Sequence, residues 1–209
     1  MPASSSAKSN QINVVPLNKQ PDPLANSERI QLKYGNYSID IIENNSSIRM
    51  SSLYSTHDGV RVIRTIAVVA YPSVIEKEFK TEHDAIVGGQ SIGTLFKNRG
   101  WEIEKHHQYF GEIETTNGLF CETANRDDTQ KTRSAINVYT LVVKKDNTSF
   151  EYASIAEVHH PEFLQLDDLA AIYGSAFENH RREKEKPGSF LAIVKSRINT
   201  LSRALKSPA

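Results

Sequence analysis

Apolar and polar positions alternate with a period of two through the first third of the chain. Tyr37, Ile39 and Ile41 alternate with polar residues, and turn-forming residues 44–46 lead into a second alternating run. A further turn at 57–59 precedes a nearly continuous apolar run at 60–71. This pattern predicts three antiparallel strands, the third of them central in a sheet.

Between residues 73 and 100 the apolar spacing becomes helical, with Ile92 and Phe96 on one face of the predicted helix and Gly100 at its end. Gly88, Gly89 and Gly93 each cost about 1 kcal/mol inside a helix. Two hypotheses follow: one continuous helix, or two short helices separated near Gly88.

The second half of the chain returns to strand patterns. We expect alternation at 101–113, a short strand at 119–123 and a polar loop at 125–132. The clearest hairpin pairs 136–143 with 150–159 through a polar loop at 144–149.

Two helical stripes close the sequence. Leu166, Leu169, Ile172, Tyr173 and Phe177 form the first stripe, and Pro187-Gly188 separates it from a basic amphipathic second one. The whole pattern predicts an α+β fold: a mainly antiparallel sheet of about six or seven strands, helices packed on one face, and an appended C-terminal amphipathic helix.

The domain organisation follows from a change of composition near residue 28. Residues 1–28 contain four of the eight prolines, no glycine and no aromatic residue, so we expect a disordered polar leader or linker. Residues 29–186 form the predicted single α+β domain. Residues 187–209 form the basic C-terminal helix.

The bulk composition restricts the protein class without naming a chemistry. The 209 residues carry 25 basic and 25 acidic side chains, and the single cysteine, Cys121, rules out an internal disulfide. The sequence has no export signal and no apolar run of membrane-spanning length. We therefore expect a cytoplasmic protein, with an exported or periplasmic protein trimmed of its signal as the alternative.

Residues 89–93 match the G-x-S-x-G pattern of a serine nucleophile elbow. An elbow requires a buried strand directly before the serine, whereas the residues preceding Ser91 have a helical pattern. We therefore favour a helix that packs closely on the sheet.

Two E-x-H-H segments provide the candidate metal ligands Glu104, His106, Glu157 and His159. In a strand, the glutamate and the first histidine of each segment project from the same face. Two such strands side by side would hold a divalent transition metal such as zinc or iron. Exposed or hydrogen-bonded histidines are the favoured alternative, and we expect no cofactor.

Arg49, Arg61 and Arg64 lie on neighbouring predicted strands. They could gather around an anionic ligand, but structural ion pairs are the favoured interpretation.

The C-terminal helix combines an apolar stripe with basic residues. Its candidate contact residues for a partner or a membrane are Phe190, Val194, Arg197, Ile198, Leu201 and Arg203. We weigh three roles for them: packing on the domain itself, contact with a protein partner or a second copy of the chain, and attachment to a membrane surface. Nucleic acid is not expected, because the body of the protein is acidic and lacks exposed aromatic clusters.

No catalytic set stands out beside these folding signals. The leading hypothesis is a non-enzymatic binding or accessory domain for a protein or a small ligand. The alternatives are a metal-dependent hydrolase that uses the E-x-H-H segments and a peripheral membrane tether that uses the C-terminal helix.

Overall fold

A computed structural model describes residues 24–121, 130–182 and 188–204. The alternating segments form six strands: β1 (Ser38–Asn44), β2 (Ile48–His57), β3 (Val60–Ala70), β4 (Glu102–Thr116), β5 (Lys131–Lys145) and β6 (Thr148–His159). They build one antiparallel sheet in the order β1-β2-β3-β6-β5-β4. The predicted α+β class and mainly antiparallel sheet are confirmed.

The sheet consists of two three-stranded meanders that meet at its centre. β3 pairs with β6 from Thr65 opposite His159 to Ala70 opposite Ser154. Strand β3 is thus flanked on both sides, which explains its nearly continuous apolar sequence.

Two tight turns connect strands within the meanders. Asp58 (φ 50°) and Gly59 (φ 77°) join β2 to β3, and Asp146 (φ 49°) and Asn147 (φ 63°) join β5 to β6. The loop predicted at 144–149 was too long. Its outer residues continue the strand ladder, since their exposed polar side chains do not prevent backbone pairing.

Six helices surround the sheet in the described ranges. They are α1 (Asn26–Tyr34), α2 (Lys80–Val87), α3 (Ile92–Asn98), α4 (Leu166–Tyr173), α5 (Ser175–Arg182) and α6 (Gly188–Ala204). The hypothesis of two short helices between 73 and 100 is confirmed, with Gly89 at φ 106° between them. The stripe from Leu166 to Phe177 is likewise divided, at Gly174.

Helix α1 begins at Asn26, inside the predicted leader, whose residues 1–23 lie outside the described ranges. The Glu28 carboxylate accepts a hydrogen bond from the Ala25 backbone amide at 2.6 Å, and Gly35 ends the helix at φ 78°. These end contacts stabilise a short helix whose apolar spacing alone does not identify it.

The segment after β4 differs from the predicted short strand at 119–123. Asn117–Leu119 forms a 3₁₀ turn, and Cys121 makes a single bridge to Val62. Residues 122–129, which hold most of the predicted polar loop, lie outside the described part of the chain.

Each face of the sheet has its own core. Val68, Val138 and Ala156 pack with Leu191 and Val194 of α6. Their neighbours along the strands, such as Val69 and Tyr139, point to the opposite face, because successive strand residues alternate. That face packs against the other five helices, and we call it the helical face. Among the described helices, none combines the length and apolar character needed to cross a bilayer.

Candidate functional site

A cavity of about 480 Å³ lies between the helical face of the sheet and the first residues of α1 and α3; we call it the sheet cavity. Its floor comes from the strands: Arg49, Ser51, Leu53, Ala67, Val69, Ile103, Lys105, Tyr139, Leu141, Ile155 and Glu157. These positions alternate along the strands, so all of them face the same side of the sheet.

The floor is mostly apolar. Leu53, Ala67 and Val69 on β2 and β3 continue into Leu141 and Ile155 on β5 and β6. Such a lining, with a few polar groups at defined places, is typical of small-molecule sites.

The cover of the cavity includes the segment that matches G-x-S-x-G. Ser91 is the residue before α3, and a helix, α2, precedes it in place of a strand. The segment therefore lacks the strand that a nucleophile elbow requires. Ser91 forms part of the cavity wall together with Ile92 and Gly93.

Arg49 supplies a buried positive charge to the cavity wall, with only 1% of its surface exposed. Its Nη1 donates to the backbone carbonyls of Ile86 and Gln90, both at 2.8 Å. The Tyr71 hydroxyl lies beside this side chain. Within residues 24–121, 130–182 and 188–204, neither Arg49 Nε nor that hydroxyl has a hydrogen-bond partner, and no carboxylate forms an ion pair with Arg49. The cavity wall thus contains a guanidinium that is only partly satisfied.

Tyr37 lies at the same end of the cavity, where its hydroxyl contacts Ser91 and Ser27. Burial raises the pKa of Tyr37, although these contacts and the charge of Arg49 oppose the rise. The phenol therefore keeps its proton and can donate a hydrogen bond.

A chain of polar groups leads from the other end of the cavity into the sheet. The Lys105 ammonium lies 3.8 Å from the Glu157 carboxylate, to which Asn137 Nδ2 donates at 3.2 Å. Asn137 Oδ1 accepts from His159 Nε2 at 2.8 Å, and Thr65 Oγ1 donates to His159 Nδ1 at 3.1 Å. Each donor in this chain faces an acceptor, which assigns the Nε2–H tautomer to a neutral His159.

The charges in this chain follow from burial and neighbours. Burial alone would raise the pKa of Glu157, but the charge of Lys105 and the hydrogen bond from Asn137 lower it below its usual value. Burial lowers the pKa of His159 to about 4. A charged Glu157 paired with Lys105 and a neutral His159 is therefore the stable arrangement near neutral pH.

The four candidate metal ligands do not come together. Glu104 and His106 contact each other at 3.0 Å on the exposed side of β4, opposite Val142 and Thr140. Glu157 and His159 are buried on the helical face of β6, and β5 separates the two strands. The pairs project from opposite faces, so they cannot all bind one ion.

Within the part of the chain that the structure describes, no group of three or more acidic, histidine or cysteine side chains could hold a metal. The metal-dependent hydrolase stays a prediction, but its metal centre cannot be built from both E-x-H-H segments together.

The three arginines have separate partners. Arg61 forms an ion pair with Asp40, and Arg64 Nε donates to Ser55 Oγ at 2.9 Å. Only Arg49 lines the sheet cavity.

Most of the contact residues predicted on α6 are engaged within the chain. Val194 and Ile198 are buried, Phe190 and Leu201 pack beside them, and Arg197 Nη1 donates to Glu43 at 2.8 Å. The side chain of Arg203 falls outside the described ones. Contact with a protein partner, a second copy of the chain or a membrane surface stays a prediction. Such a contact would use side chains other than the apolar ones that α6 buries against the sheet.

Sequence reasoning identified Arg49 but missed the cavity around it. Asn26, Trp101 and Val69 lie far apart in the sequence and meet only through the sheet order and the placement of α1. No local spacing signals such a meeting.

Fold and site together define an α+β protein whose six-stranded antiparallel sheet carries a cavity under its helices. No protein-family model matches the sequence, and no curated protein matches it.

Proposed function

We propose that this protein is a non-enzymatic binding domain that takes a small, largely apolar ligand in the sheet cavity. The observation that carries the proposal is a cavity of about 480 Å³ with an apolar floor built from five strands. Small-molecule sites commonly enclose about 300–1,000 Å³. Each 100 Å² or so of apolar ligand surface buried there would contribute about 2.5 kcal/mol.

The charged groups at the cavity support a binding role. Lys105 is paired with Glu157, and Lys97 lies 3.1 Å from Glu28. His159 is buried beneath Glu157 and Asn137, with both ring nitrogens hydrogen-bonded. Lys97, Lys105 and His159 are thus each held by neighbours within the protein, which favours binding of a ligand over catalysis at this site.

Trp101, the single tryptophan of the chain, lines the cavity and reports on its occupation. Titration with octanol, a small apolar probe, should change its fluorescence in a saturable manner. Ala67→Phe places a ring in the cavity and should weaken octanol binding about tenfold or more, because it occupies the ligand's volume.

Ala192→Phe adds the same ring on the exposed side of α6 and should leave octanol binding unchanged. Circular dichroism verifies that both variants fold. The absence of saturable binding to the wild type, or wild-type affinity in folded Ala67→Phe, contradicts the proposed function.

A further inference from the structure

Two hydrogen-bond donors at one end of the sheet cavity have no acceptor among the described residues. Arg49 Nε and Asn26 Nδ2 are both buried, in side chains that are 1% and 4% exposed. Both residues line the cavity. Buried polar groups in proteins are nearly always hydrogen-bonded, so this pair indicates a missing acceptor.

The positive charge of Arg49 indicates that the missing hydrogen-bond acceptor is an anion. The two carbonyls that bind Arg49 Nη1 carry no full negative charge. A carboxylate would supply both the countercharge and the acceptor oxygens that a guanidinium requires. Asn26 is the first residue of the nine-residue helix α1, where the helix dipole also favours an anion.

The surrounding groups set the orientation of an anionic ligand. Ser27, Ser91 and Tyr37 add hydroxyl groups at the Arg49 end. Lys97 and Lys105 also line the cavity, but each is paired with a carboxylate, that of Glu28 or of Glu157. Among the described cationic side chains of the cavity, Arg49 is therefore the one that lacks a carboxylate partner.

We propose that the ligand of the sheet cavity is a small amphiphilic carboxylic acid. Its carboxylate binds Arg49 and Asn26, and its apolar body lies on the floor formed by Leu53, Val69 and Ile155. This inference rests on the proposed function, since it specifies the ligand class of the same cavity.

Octanoate and octanol separate this inference from the proposed function, because they share an alkyl chain and differ in the charged group. Binding of each probe is followed by Trp101 fluorescence and by calorimetry. We expect octanoate to bind wild type about tenfold more tightly than octanol, the gain typical of one hydrogen bond to a charged group.

Two variants assign the preference to residues. Arg49→Met removes the charge and keeps an apolar stem, and Asn26→Asp replaces the amide donor with a carboxylate that also suits the first turn of a helix. Each should bring the octanoate-to-octanol affinity ratio to about one or below, because the loss of affinity is larger for the charged probe than for the neutral one. If Arg49→Met does not fold, Asn26→Asp decides the question.

Lys131→Gln removes a positive charge from an exposed position outside the cavity and should preserve the ratio. Equal affinities of wild type for the two probes, or an unchanged ratio in folded Asn26→Asp, overturn the inference while leaving the proposed function intact. Binding of neither probe overturns both.

Discussion

Two polar side chains on the helical face, the half-buried His107 and the buried Asn137, allow tests at the scale of single residues. His107 contacts Phe110 and Tyr173, with ring centroids 4.9 and 4.4 Å apart, and its Nδ1 has no partner within the described ranges. Asn137 is fully buried between Glu157 and His159. Each gives a test at the scale of one residue.

The surroundings of His107 should make stability depend on pH. Burial lowers the pKa of His107 from 6.5 to about 4. Between these two pH values the ring is neutral in the folded protein, whereas in the unfolded chain it binds a proton. The stability due to the neutral ring is complete above pH 6.5 and is lost between pH 6.5 and 4. For a half-buried ring this loss is about 2 kcal/mol.

His107→Phe should remove that part of the pH dependence, as measured by urea unfolding at a series of pH values. Burial also lowers the pKa of His159 to about 4, so the variant keeps the pH dependence of stability that is due to His159. His57→Gln changes an exposed side chain and serves as the control. An equal loss of stability in wild type and His107→Phe between pH 6.5 and 4 would contradict the assignment.

Replacing Asn137 with leucine should disrupt the polar chain. Glu157 loses a donor and His159 loses its acceptor, so we expect the free energy of unfolding to fall by about 3 kcal/mol. Asn36→Leu is the matched control, because the Asn36 side chain bonds at the surface and its loss should cost about 1 kcal/mol or less. Similar urea midpoints for the two variants would show that the chain contributes little.

At the scale of elements, helix α6 covers the face of the sheet opposite the helical face, on which the other five described helices pack. Val194 and Ile198 pack with the strands, while Ile193 is 38% exposed on the outer side. The helix thus contributes a core of its own.

Two isoleucines of α6 test this role in one helix. Ile198→Ala should lower the free energy of unfolding by about 2–4 kcal/mol, because it leaves a cavity in the core. Ile193→Ala should cost less than about 1 kcal/mol, since its side chain is already partly in water. Thermal or urea unfolding measures both, and equal costs would argue against packing of α6 on the sheet.

For the whole molecule, one strand pair connects the two meanders. β3 and β6 are central in the sheet, whereas β1 and β4 are its edges in the described part of the chain. Opening the central pair requires separation of both cores, so its amides should be the most protected.

Hydrogen exchange followed by mass spectrometry should find the slowest amides at Ile66–Val69 and Ile155–Val158 and faster exchange in β1. The β5–β6 hairpin, also internal, should resemble the central pair. Exchange from β3 as fast as from β1 would indicate that the meanders open independently.

The sequence by itself determined the class of fold and several of its elements: alternation identified the strands from Tyr37 to Ala70, and the glycines near residue 88 raised the alternative of two short helices, which α2 and α3 confirm. These features depend on side-chain period and backbone freedom, which neighbours along the chain establish. The sequence did not determine where α1 begins or where the turn at Asp146 lies, because the first depends on contacts at the helix end and the second on pairing between β5 and β6.

Only the tertiary structure decided which of those residues meet. It placed Glu104 and Glu157 on opposite faces, and it brought Asn26, Arg49 and Trp101 around one cavity. The physical reason is that strand order and helix placement depend on packing between distant segments, such as those of Glu43 and Arg197, which are 154 residues apart in the sequence. Local periodicity does not encode such packing.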